Sequence, residues 1–297
     1  MATTIITIED LHLFHTIDRR VFSRLLINLA RTPAESLLVM ALWLWLEDLH
    51  FQTIYIVDKL DDFSDSVVDA LANEAVLCLK CLEPRSSSGA AAAAGEDDMP
   101  LTSLVTGRPM SSHRFYPNKF AAISGIKAFL NKVCAVVFAD ILQQVMSSGI
   151  TVSLSQVVTP DSAIPIPGFP HPTFGAISVI PRSPDFAIPN GGFWGWSTAA
   201  EAPVDDRTMF LTFSRGYPVS EEEVKELFNL YYGDCVETVK MVPPATASEQ
   251  SLYARLVVRS VSTIDQVLSR GPIAKFRVNG KHVWARKYER RDMYVDQ

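Results

Sequence analysis

The side chains with the clearest chemical potential lie near the end of the chain. Between Lys275 and Arg291 stand Lys275, Arg277, Lys281, Arg286, Lys287, Arg290 and Arg291, against a single acid, Glu289. Cations at that density along a strand and its tail suit phosphate oxygens, through contacts that are independent of base sequence and weakened by salt. Trp284 sits among them, and strand alternation turns it to the face opposite its neighbours Val283 and Ala285. This is the chemistry of non-covalent binding. No nucleophile and base pair, phosphate-cradling glycine loop or metal-ligand spacing accompanies these residues, so neither catalysis nor a cofactor is expected. Cys78 and Cys81 form one CxxC pair with no second pair, and Cys134 and Cys235 stand alone, so free thiols in a reducing compartment are expected and a metal is not. Asp10, Asp18 and Glu47 read as helix caps or solvated charges rather than acid catalysts.

The elements that must position these residues run from Asp206 to Arg291. Met209, Leu211 and Phe213 alternate with Phe210 and Thr212, the pattern of a half-buried strand. Ser220 caps a helix that opens on Glu221-Glu222-Glu223 and turns Val224, Leu227 and Phe228 inward. Val236, Val239 and Met241 mark a second strand, Pro243-Pro244 opens a loop, and a third strand runs Leu252-Tyr253-Ala254-Arg255-Leu256-Val257-Val258. A second helix from Ser262 or Thr263 carries Ile264, Val267 and Leu268 and stops at Gly271-Pro272. Phe276-Arg277-Val278, an Asn279-Gly280 turn and Val283-Trp284-Ala285-Arg286 form a hairpin-like last segment.

This order, βαββαβ, resembles the RNA recognition motif, a ferredoxin-type α+β sandwich, over the whole of residues 204–291. Met209-Phe210-Leu211 matches the aliphatic-aromatic-aliphatic signature of that family's first strand. In its third-strand signature Tyr253 and Ala254 fit, while Ser251, Leu252 and Arg255 replace a basic residue, a glycine and an aromatic. The resemblance implies single-stranded RNA stacked on Phe210, Tyr253 and the guanidinium plane of Arg255. Trp284 is the candidate to compensate for the missing ring, and Lys281, Arg286 and Lys287 are the expected phosphate contacts. The chain as a whole also resembles a group of plant proteins in which a helical region precedes such a motif. The residues that carry this likeness are Pro33-Ala34-Glu35-Ser36-Leu37-Leu38-Val39-Met40-Ala41-Leu42-Trp43 and Asn279-Gly280-Lys281-His282-Val283-Trp284-Ala285-Arg286-Lys287. It implies RNA binding in post-transcriptional regulation, with the helical region an interaction or dimerisation module.

The N-terminal half reads as all-α over residues 1–149. Leu11, Phe14, Ile17, Val21, Phe22, Leu25 and Leu26 recur at helical spacing, and Thr32-Pro33-Ala34-Glu35 caps an apolar run ending at Glu47-Asp48. That run is about half of what a bilayer span needs, so a buried helix and no membrane are expected. Residues 84–112 read as a mobile Ser- and Ala-rich insertion, and 150–203 as a proline-rich, semi-extended linker. The linker carries Phe193-Trp194-Gly195-Trp196, which looks like the hooks by which some proteins hold Argonaute, so Trp194 and Trp196 are candidate partner contacts. Residues 292–297 form a tail. From Val204 onward 14 Lys and Arg meet 13 Asp and Glu, about +1 within a chain of −6, so bulk charge does not draw nucleic acid and binding must be local. No basic leader with an apolar core starts the chain, which points to a soluble intracellular protein, nuclear or cytoplasmic. The competing expectation is a protein-interaction scaffold whose sheet holds a peptide or its own linker.

Overall fold

The computed structural model describes residues 6–49, 55–83, 99–148, 162–188, 202–243 and 250–289. The chain divides into two compact units, one of Met1–Tyr116 with Gly125–Ala200, the other of Pro117–Ser124 with Glu201–Gln297. The layout is thus helical first and α+β second.

The first unit is built of helices. α1 (Ile8–Phe14) starts on a capping box in which Thr7 and Asp10 satisfy each other's backbone N–H. α2 (Thr16–Ser23) continues into a wider π turn at Arg24–Asn28. The expected single helix over Leu11 to Leu26 is therefore broken at His15, whose buried ring bonds Asp18. Thr32 accepts from the Glu35 N–H and opens α3 (Pro33–Leu49), in which every residue from Ser36 to Leu46 is buried. A helix apolar all round needs partners all round. They come from α4 (Ile56–Asp61), α5 (Asp65–Leu82) and the later helices. Arg24 and Arg31 tie the π turn and the start of α3 to Asp65 and Asp69 on α5.

Residues 84–98 of the expected insertion lie outside the described residues, but its later part is structured. α6 (Pro100–Thr106) starts with proline at its first position and buries Thr102, Val105 and Thr106. Buried Glu74 accepts from the N–H groups of Leu101 and Thr102, each at 2.8 Å, and so caps it. A serine- and alanine-rich composition hid that anchor, because the capping carboxylate lies 27 residues upstream.

α7 (Lys119–Phe129) runs through a π turn at Leu130–Cys134 into α8 (Ala135–Val137), and α9 (Ala139–Ser148) follows. Gly125 is required here: a Cβ would stand 2.1 Å from the indole nitrogen of Trp45. The run from Phe115 to Val137 is long and apolar enough to cross a membrane by length and composition, and half of its most apolar window is buried in this protein. The stretch read as a linker also differs from a spacer where it is described. Ile166, Phe174 and Val179 are buried, Ile164 pairs with Val179, and the Ile8 N–H donates to the Phe186 carbonyl. Apolar side chains at 166, 174 and 179 offset the entropy of ordering this proline-rich segment on the first unit.

The second unit is a five-stranded antiparallel sheet in the order β2-β3-β1-β5-β4. Its strands are β1 (Thr208–Phe213), β2 (Val236–Met241), β3 (Tyr253–Val258), β4 (Ile273–Val278) and β5 (Lys281–Lys287). α10 (Glu221–Tyr232) begins on the expected Ser220 and Glu223 capping box. α11 (Val261–Val267) is capped two residues earlier than expected, by Ser260. The hairpin-like segment is a complete β4–β5 pair, so the unit holds one strand more than βαββαβ. Both helices cover one face, where Met209, Leu211, Phe213, Ala254, Leu256, Val258, Val283 and Ala285 meet Val224, Leu227, Phe228, Ile264 and Val267.

This unit also recruits residues that precede it by about eighty positions. Phe120 packs against its core, and Asp265 of α11 accepts from the backbone N–H groups of Phe120 (2.8 Å) and Ala121 (2.9 Å). Ser124 donates to buried Asp206 at 3.1 Å. The first turn of α7 thus belongs to the unit that residues 204–291 were expected to form alone.

Candidate nucleic-acid interface

The face of the sheet away from α10 and α11 is arranged in rows across the strands. In one row Arg255 on β3 and Arg286 on β5 both stand opposite Phe210 on β1. Lys240 on β2 extends the row beyond Arg255, and Ile273 on β4 ends it beyond Arg286. In the next row Tyr253, Thr212, Trp284 and Lys275 come from β3, β1, β5 and β4. Adjacent strands are about 4.8 Å apart, so each row is continuous contact surface. Towards the other end of the sheet Thr208 and Val257 are buried, which limits the accessible platform to these rows and to Arg277 and His282 beside them.

Phe210 and Tyr253 stack on each other, with ring centroids 5.5 Å apart and planes 27° apart. Tyr253 is 44% exposed, and Phe210 and Trp284 are half-buried. The Arg286 guanidinium lies 4.8 Å from the Phe210 ring centroid, and that of Arg255 lies 4.8 Å from the Tyr288 centroid. Such cation–π contacts hold a flexible arginine in place. Tyr288 was not among the expected site residues. The even-numbered alternation 282, 284, 286 continues to it, and its backbone N–H donates to the Thr208 carbonyl, which extends β5's pairing by a residue.

The expected residues divide between the two faces. Phe210, Tyr253, Arg255, Trp284 and Arg286 are together on the open face. Lys281 is not with them. It shares the face of buried Val283 and Ala285, and its ammonium bonds both carboxylate oxygens of Glu223 at 2.8 Å. Lys281, Asn279 and the Ser220 N–H together lower the Glu223 carboxyl from its ordinary 4.5 to about 2. Lys287 donates to the Asp205 carbonyl at 2.6 Å. Neither lysine stands in the platform rows, and Lys240 and Lys275 occupy the outer positions instead. Among the described residues, no carboxylate pairs with Lys240, Arg255, Lys275 or Arg286. By contrast Arg207, almost fully buried, is neutralised by Glu237 and donates to the Val258 carbonyl.

Trp194 and Trp196 lie outside the described residues, as do Arg290 and Arg291. Of the acids set aside as catalysts, Asp10 serves in a cap. Glu47 is no solvated charge but caps the first turn of α4. Burial raises its carboxyl from 4.5 to about 7 while the Val57 N–H donates to it at 2.7 Å. Compared with known proteins, the chain matches no family model, no curated protein and no solved structure.

Proposed function

We propose that the second unit is an RNA-recognition-motif-like domain that binds single-stranded RNA on its open sheet face, a binding role rather than a catalytic one. The observation that carries this reading is the union, on one face, of Phe210, Tyr253 and Trp284 with four cations that lack carboxylate partners among the described residues. Flat rings take unpaired bases with little regard to sequence, and the cations neutralise the backbone that connects those bases. The added strand β4 widens the platform on the side where Lys275 and Arg277 stand. The helical unit acts as the interaction module that links bound RNA to a partner in post-transcriptional regulation.

The test is titration of the full chain against short labelled single-stranded RNAs at low and moderate salt. Saturable binding that weakens with salt is expected. Base stacking on an aromatic contributes about 1–3 kcal/mol, so Phe210→Ala combined with Tyr253→Ala should weaken binding by at least about tenfold. Equal binding by the double variant would remove the sheet face from the mechanism.

A further inference from the structure

The two edges of the sheet are finished differently. At the β2 edge the register shifts between Val236 and Thr238, and N–H groups at both ends of the strand are taken up within the unit. Met241 donates to Glu221, while Cys235 and Val236 donate to Asn229. That edge offers little to a further strand.

The β4 edge is regular. Asn279 and Gly280, both at positive φ, form a two-residue turn, which makes Val278 and Lys281 a hydrogen-bonded pair. Bonds to β5 then recur at every second residue, so Ala274, Phe276 and Val278 serve the ladder, and the N–H and C=O of Ile273, Lys275 and Arg277 point away from it. β4 ends the sheet, and no backbone partner meets these three residues among the described residues.

The side chains around this edge define what can join it. On the open face Lys275 and Arg277 are exposed and have no carboxylate partner among the described residues, although Arg277 Nε donates to the Gly280 carbonyl at 3.3 Å. On the other face Phe276 packs against the core, and the ring of Tyr231, a residue 62% exposed, lies 6.0 Å from it. A strand laid beside β4 would set alternate side chains against the cations and the intervening ones against these rings. A second copy of β4 does not fit. With faces matched, the antiparallel registers that pair most of the strand set Lys275 opposite itself or opposite Arg277.

We propose that the β4 edge takes up an extended peptide of a partner protein as an added strand, one in which acidic and apolar residues alternate. Main-chain bonds to Ile273, Lys275 and Arg277 hold it, its carboxylates meet Lys275 and Arg277, and its apolar side chains cover Phe276 and Tyr231. The site does not depend on RNA binding, although Lys275 borders both surfaces.

The experiment uses the full chain, without RNA, and two short synthetic peptides, one alternating glutamate with valine and the other lysine with valine. The acidic peptide should bind saturably, at least about tenfold more tightly than the basic one, and more weakly as salt rises. On binding, hydrogen exchange of the Ile273, Lys275 and Arg277 amides should slow by at least about tenfold, while amides 274, 276 and 278, already bonded to β5, change little. Lys275→Glu combined with Arg277→Glu should reverse the order of the two peptides. No saturable binding of the acidic peptide, equal binding of the two, binding without slower exchange at the three amides, or an unreversed order in the folded double variant overturns the proposal. Exchange is read on the parent protein, so it decides even where the double variant fails to fold. A negative RNA titration leaves this site standing, and a negative peptide titration leaves the RNA reading standing.

Discussion

Along β1 the side chains of Met209, Leu211 and Phe213 are sealed from water, while Phe210 and Thr212 between them are only half-buried. The same division holds on β5, where Val283 and Ala285 are buried and Trp284 and Arg286 are not. Charged residues follow it too. Lys281, on the helix-covered face, is matched by Glu223, and Arg207 by Glu237, whereas Lys240, Lys275, Arg255 and Arg286 on the other face have no such match among the described residues. A cation next to a core has to be neutralised, because an unpaired charge there would cost several kcal/mol. One facing water need not be, and remains available to a ligand. Neighbouring positions on one strand therefore serve different ends: odd-numbered residues of β1 and β5 hold the unit together, and even-numbered ones, buried Thr208 apart, are free to meet a partner.

The largest effect that could break this contrast is in the core. Leu211→Ala should destabilise the second unit by about 2–5 kcal/mol, read from its unfolding transition in denaturant, and leave RNA affinity of the folded protein within about threefold. Phe210→Ala with Tyr253→Ala should do the reverse, a large loss of affinity with a change in stability below about 1 kcal/mol. If the two variants exchanged these outcomes, the assignment of faces would be wrong.

A middle-sized effect concerns the segment borrowed from upstream. Asp265→Ala removes the acceptor for the Phe120 and Ala121 N–H groups and should cost about 1–2 kcal/mol. Hydrogen exchange of amides 120 and 121 should rise with it. Unchanged protection there would mean that the cap contributes nothing.

The smallest effect sharpens the contrast between two lysines. Lys281→Met should cost less than about 1 kcal/mol, since the Lys281–Glu223 pair is partly exposed. Glu223 is held below its ordinary 4.5, so the pair's contribution is complete above that pH and is lost as pH falls from 4.5 towards 2. Parent and variant stabilities should accordingly converge at the acid end. Lys275→Met should leave stability unchanged and lower the slope of log affinity against log salt by about 0.7, the share of one phosphate contact on a single strand. A change in salt slope from Lys281→Met instead would place that lysine at the ligand.

Much of the sheet was legible because a strand's alternation is local. Phe210, Tyr253, Arg255, Trp284 and Arg286 could be assigned to one face from their immediate neighbours, and the Asn279-Gly280 turn announced the hairpin that became β4 and β5. The same rule, carried one strand further, sets Lys281 on the covered face and Tyr288 on the open one. Lys287 engages the Asp205 carbonyl because the turn before β1 folds back on the end of β5, a meeting of residues 82 positions apart. Composition misled where it stood in for packing. The insertion and the linker are rich in serine, alanine and proline, yet α6 and residues 162–188 hold buried apolar side chains that find cores elsewhere in the chain.

By itself the sequence determined the elements and the side of each strand that turns inward, since propensity, capping and two-residue periodicity act over a few residues. Tertiary structure alone decided that residues 117–124 complete the sheet unit, that Glu74 caps α6, and that two arginines come to flank one phenylalanine. Those outcomes depend on hydrogen-bond partners and strand neighbours brought together by the burial of apolar surface, which is non-directional and leaves no local mark along the chain.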